Sequence, residues 1–130
     1  MHAKHADGDS LNDLSGRVIG CGFTVLNTLG AGFLEKVYEN ALAFEIRAAG
    51  LSVVQQHGAK VYYRDAIMGE YFVDLLVQDV LLVELKTVSA LTKVHRMQCT
   101  NYLKATGLRL CLLLNFGKSR LEIKRVAQGL

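Results

Sequence analysis

The sequence predicts a mixed α/β domain with helices packed on a sheet, and three observations predict it. Apolar residues recur every third or fourth position up to about residue 50, and from there the period shortens to that of strands until about residue 87. Helical spacing then returns over 91–105, followed by two short apolar runs, so the order of elements is ααβββ(β)αββ. The length, 130 residues with 51% hydrophobic and 21% charged, allows one core. It leaves no room for a second, since a domain takes about 100–200 residues.

The first helix is predicted over 11–28, with Ser10 as N-cap, Asp13 three residues on, and Leu11, Leu14, Val18, Cys21, Val25 and Leu29 along one face. Gly30, Ala31 and Gly32 break it. A second helix is predicted to turn Phe33, Val37, Ala41, Phe44 and Ala48 inward until Gly50 stops it. Strands are expected over 51–56, 60–64, 70–77 and 80–87, with turns at 64–69 and at Gln78-Asp79. The run Val80, Leu81, Leu82, Val83 is apolar on both faces, as a central strand requires. A third helix over 91–105 ends before Gly107, and strands follow over 108–114 and 120–126.

Composition excludes several classes. Hydrophobicity is too high and charge too low for a disordered chain. The longest apolar runs fall far short of the roughly 18 residues that span a bilayer. Residues 1–10 are polar and lack the apolar core of a secretory signal, so the expected location is cytoplasmic. We read 1–9 as a disordered tail and 10–130 as a single domain. Cys21, Cys99 and Cys111 are odd in number, have no Cys-x-x-Cys spacing and sit in apolar patterns, which reads as buried thiols. Lys and Arg total 15 against 12 Asp and Glu. The excess is concentrated in 86–125, where Glu122 is the only acid, and this third is the candidate phosphate-facing part.

The informative segment is 73–86, VDLLVQDVLLVELK. Side chains alternate along a strand, so Glu84 and Lys86 share a face that Leu85 avoids. A buried ion costs several kcal/mol unless it is paired or bound to a metal, so something must compensate. Asp74 lies on the preceding strand, and register decides whether it joins them. A two-residue loop at Gln78-Asp79 would set Asp74 opposite Val83; a three-residue loop, 78–80, sets it across from Glu84, and the longer loop or a bulge is expected. Asp74 and Glu84 would then offer hard oxygen ligands for Mg²⁺, with Lys86 as a point charge for a phosphate or an attacking water.

Two helical pairs complete the candidate set. Gln98 and Tyr102 are four apart on the third helix, and Glu35 and Tyr38 three apart at the start of the second. Glu35 has two readings of equal weight: a third acidic ligand, or an acid favoured by the helix dipole. Tyr38 and Tyr102 taken singly read as core residues whose hydroxyls find a partner. Neither His57 nor His95 is read as part of a zinc site. Gly30 and Gly32 lack the Lys-Ser/Thr of a phosphate loop.

The run Gly32-Phe33-Leu34-Glu35-Lys36-Val37-Tyr38 resembles the signature of the bacterial GxxExxY proteins, a group of the PD-(D/E)XK nuclease superfamily. Asp74 with Glu84-Leu85-Lys86 fits that superfamily's pattern, and Gln98 and Tyr102 resemble the Gln-x-x-x-Tyr element of its exonuclease-like branches. The resemblance implies a restriction-endonuclease-like core and a phosphodiesterase dependent on Mg²⁺ or Mn²⁺. Asp74, Glu84 and the Leu85 backbone carbonyl would hold the ion, Lys86 would position water, and Gln98 would orient Lys86 or the substrate. The implied partner is nucleic acid, DNA ahead of RNA, and small nucleases of this kind often act as homodimers. The alternative is a nucleic-acid-binding or protein-interaction module with the same fold and no chemistry.

Overall fold

A computed structural model describes residues 7–129. The elements are α1 (Gly8–Leu29), α2 (Glu35–Ala48), β1 (Val53–Tyr63), β2 (Ala66–Val77), β3 (Leu81–Lys86), α3 (Lys93–Thr106), β4 (Leu110–Asn115) and β5 (Glu122–Ala127). One five-stranded sheet runs in the order β1-β2-β3-β4-β5. The β3–β4 pair is parallel, bridged by α3, and every other pair is antiparallel. Helices α1 and α2 cover one face over Leu75, Val77, Val83, Leu85, Leu112 and Phe116. Helix α3 covers the other through Cys99, Tyr102 and Leu103 over Leu76, Leu82 and Leu113. This is a mixed α/β fold of the restriction-endonuclease-like kind.

Several boundaries differ from expectation. Helix α1 begins at Gly8, because the Asp7 carboxylate accepts the Ser10 N–H at 2.7 Å and Asp7, not Ser10, is the cap. Residues 8 and 9 are therefore helical; 1–6 of the expected tail lie outside the described residues. The two strands expected over 51–56 and 60–64 are one, paired with β2 straight through His57, Gly58 and Ala59. Gly58 reads as a break but serves close approach: a Cβ there would meet the Glu70 carboxylate at 2.5 Å. The turn expected over 64–69 shrinks to Arg64-Asp65, both left-handed at φ 50° and 66°, which suits a tight two-residue hairpin.

Helix α2 is rotated relative to expectation. Tyr38, Leu42, Ala43 and Ile46 are buried, whereas Phe33, Val37 and Phe44 are exposed. The sequence offers two apolar stripes, and the Tyr38 hydroxyl selects between them. It donates to the Gly30 carbonyl at 2.5 Å and accepts the Phe33 N–H at 3.1 Å, while its ring stacks on Phe116 at 5.0 Å. Of the cysteines, Cys99 and Cys111 are buried and Cys21 is partly exposed; all three are free.

The crossover from β3 to α3 is pinned by one side chain. Asn115 accepts the N–H groups of Val88 and Gly117 at 3.0 and 2.9 Å and donates to the Val88 carbonyl at 2.9 Å. Gly117 leaves no space there, since a Cβ would lie 2.5 Å from Val88 backbone atoms. Asn115→Ala strands three backbone groups, so we expect a loss of about 2–3 kcal/mol in denaturant-midpoint measurements. A variant within about 0.5 kcal/mol of the parent would contradict this role for Asn115. Among the described residues no helix is long and apolar enough to cross a membrane.

Candidate active site

The candidate residues converge where β2 parts from β3. The loop between these strands is 78–80, three residues, and the pairs Val77↔Leu81, Leu76↔Leu82 and Leu75↔Val83 place Asp74 across from Glu84. Gln78 and Asp79 are left-handed, at φ 54° and 58°. At Asp74 the backbone ladder stops and carboxylates make the next rung. Asp74 Oδ2 accepts the Leu85 N–H at 2.8 Å, and Glu84 Oε1 accepts the Asp74 N–H at 3.2 Å. The faces switch at the same level. Leu75 and Val77 pack under α1 and α2, yet Val73, two residues earlier, is buried with the α3 cluster. On β1 the matching residue is Gln56, a non-glycine at φ 56°, a conformation stored where the surroundings over-determine it.

Both carboxylates are buried, Asp74 at 7% exposure and Glu84 at 5%. Burial first, then the neighbouring Asp74 charge, pushes the Glu84 carboxyl up to about 8. Asp74 is also raised, chiefly by burial, against the Leu85 N–H and the Gln56 amide that favour its charged form. Glu84 Oε2 accepts the Tyr102 hydroxyl at 3.3 Å and lies 3.7 Å from Lys86 Nζ. Burial and the Glu84 charge raise the Tyr102 hydroxyl well above its usual range, so it remains a donor. Glu35, the first residue of α2, is raised by burial and then by the Asp74 charge, with Lys86 opposing, which places it in the field of both. Gln98 and Lys86 line one groove of about 430 Å³ beside Tyr102.

The structure therefore brings Asp74, Glu84, Lys86 and Tyr102 into contact and sets Gln98 and Glu35 around them. Two residues escaped the sequence reading. Glu39 is buried at 2% exposure, ion-paired to Lys36 at 3.0 Å, and accepts from the Gln55 and Gln56 amides at 2.9 Å each. Gln56 also donates to Asp74 Oδ1 at 3.2 Å, linking the two carboxylates. The available signals were the four-residue step from Glu35 to Glu39 and two consecutive glutamines in a strand. The basic third is divided: Arg125 binds Ser15 Oγ at 2.7 Å and ties β5 to α1, while Lys86 belongs to the site.

Among the described residues no three His, Cys, Asp or Glu side chains gather as a metal-ligating group. The Asp74–Glu84 pair nevertheless fits a hard dication by its chemistry. Two desolvated carboxylates that each resist ionisation are relieved by a positive charge between them. Without metal, a Glu84 pKa raised to about 8 against 4.5 unfolded means the native state binds the extra proton. Stability from this group is full below pH 4.5 and falls as pH rises to about 8. We expect the melting temperature in EDTA to drop over that window and the slope to flatten in Glu84→Gln; an equal slope in both would contradict the burial argument.

A family model of the PD-(D/E)XK nuclease superfamily matches residues 12–126. No curated protein matches in sequence. Among solved structures, that entitled "Crystal structure of SSO0001" superposes with a TM-score of 0.57 at 13% identity, over 73% of this chain and 50% of that one. At that identity the likeness concerns the fold, and this chain spans half the length of its neighbour. With the family match covering both sheet carboxylates and the helix that faces them, the chain belongs to the PD-(D/E)XK nuclease superfamily.

Proposed function

We propose that this chain is a divalent-metal-dependent nuclease of the GxxExxY group, cutting phosphodiester bonds at the Asp74–Glu84 rung. The observation that carries the reading is that rung: two buried carboxylates replace backbone pairing between β2 and β3, with Lys86 beside Glu84. Asp74, Glu84 and the Leu85 carbonyl would hold Mg²⁺ or Mn²⁺, with Glu35 near enough to influence it electrostatically. When bound, the ion acidifies water and neutralises charge developing on the phosphate. Lys86 orients the attacking water and stabilises its forming hydroxide. Tyr102 donates to Glu84 Oε2 and fixes its rotamer, and Gln98 in the adjoining groove faces the substrate. The glycine-to-tyrosine run supports the assignment. Gly32 is at φ 116°, Tyr38 ties the loop to α2, and Glu35 sits between them.

DNA is the preferred substrate in this reading, the location cytoplasmic, and a homodimer the arrangement that would bring two sites to two strands. Incubation with single-stranded, duplex, flapped and branched DNA and with RNA tests it. Cleavage in Mg²⁺ that stops in EDTA is expected. Mg²⁺ binding with no cleavage of any of these substrates would leave a binding module.

A further inference from the structure

Two grooves meet at Tyr71. The first, about 430 Å³, holds Lys86, His95, Gln98 and Tyr102; the second, about 380 Å³, holds Tyr62, Asn101 and Lys104. Tyr71 and Asn101 line both. Together they follow α3 from His95 to Ala105, about 15 Å at 1.5 Å per residue, and lead away from the catalytic lysine. Among the described residues no carboxylate lines either groove, and Lys60, Lys86 and Lys104 give them a positive charge. Lys60, also at the far groove, lies across from Glu70 in the hairpin register, and Lys104 reaches the same groove from α3.

The aromatic side chains here are open. Tyr62 is 60% exposed and Tyr71 47%, although Tyr71 is held edge-on to Tyr102 at 5.7 Å. That contact places the Tyr71 ring one residue from Glu84, to which Tyr102 is hydrogen-bonded. Exposed tyrosines beside lysines form a stacking surface for unpaired bases with cations for phosphates. A duplex hides its base faces by stacking them on each other, so this surface offers it only the charges.

We propose that these grooves are a track for single-stranded DNA, with bases stacking on Tyr71 and Tyr62 and the backbone running past Lys104 and Lys86. The proposal rests on the nuclease reading for the direction of the track. The 2′-hydroxyl both donates and accepts, so an RNA-selective track would hold it between polar side chains; this lining offers the amides of Gln98 and Asn101, and the rest is lysine, histidine, aromatic or apolar.

The test is binding in EDTA of a single-stranded DNA carrying 2-aminopurine, whose fluorescence is quenched by stacking, against a duplex and an RNA of the same sequence. We expect the single strand to bind more tightly than the duplex and to be quenched. Tyr71→Leu and Tyr62→Leu should each weaken it about tenfold with loss of quenching, and Tyr71→Phe should retain both. Melting temperatures check folding, and Tyr62→Leu carries the test alone if Tyr71→Leu unfolds. Unchanged affinity in the leucine variants, a duplex bound as tightly, or a preference for RNA would overturn the proposal. The two readings fail separately. Tyrosine-dependent binding with no cleavage in Mg²⁺ removes the nuclease and keeps the track; cleavage with tyrosine-independent binding does the reverse.

Discussion

Lys86→Met is expected to cost at least about 100-fold in cleavage rate, the lower end of what a positioned charge or proton-transfer group contributes, while folding and metal binding persist. The side chain is 19% exposed, and its nitrogen sits 3.7 Å from Glu84 Oε2. Methionine keeps an unbranched stem of similar reach. Loss of the charge raises the Glu84 carboxyl further, since Lys86 is one of the groups holding it down. In the metal-free state Glu84 then keeps its proton to a higher pH, so no unpaired buried anion is left and the fold survives. Single-turnover cleavage and a melting curve on the same preparation check both halves. If Lys86→Met unfolds, the lysine is a structural partner of Glu84 and the catalytic assignment fails.

The second large effect concerns the metal. A ligand that binds only the native state at about 100 times its Kd adds about 2.7 kcal/mol, which is on the order of 10 °C in Tm for a domain of this size. Mn²⁺ should raise the melting temperature of the parent by several degrees and that of Asp74→Ala by nothing. Asp74→Asn refines this, because its carbonyl oxygen can still accept the Leu85 N–H that Asp74 Oδ2 holds at 2.8 Å. It should fold better than the alanine variant and still ignore the metal. A full Mn²⁺ response in either variant would remove Asp74 from the site.

The sequence made the central features legible because they rest on short-range rules. Alternation put Glu84 and Lys86 on one face, and the three-residue loop followed from asking which register brings Asp74 across to Glu84. What escaped was long-range. Gln56 matters because its left-handed backbone aims its amide at both Asp74 and Glu39, and nothing local in Gln55-Gln56 predicts that. Glu39 reads as an exposed helix acid until β1 is laid against α2. The rotation of α2 was misjudged for the same reason: Phe33, Val37 and Phe44 are as apolar as the stripe that is buried, and a hydrogen bond from Tyr38 to Gly30 decides between them. The split of the basic third depended on Arg125 reaching α1 across the whole chain.

A crystal structure with Mn²⁺ and a short single-stranded DNA, read by anomalous scattering, tests the account most directly. It predicts one strong peak between the Asp74 and Glu84 carboxylates, with the Leu85 carbonyl in its coordination shell and Lys86 Nζ outside it. A peak elsewhere, with Lys86 Nζ lodged between the two carboxylates in its place, would contradict it.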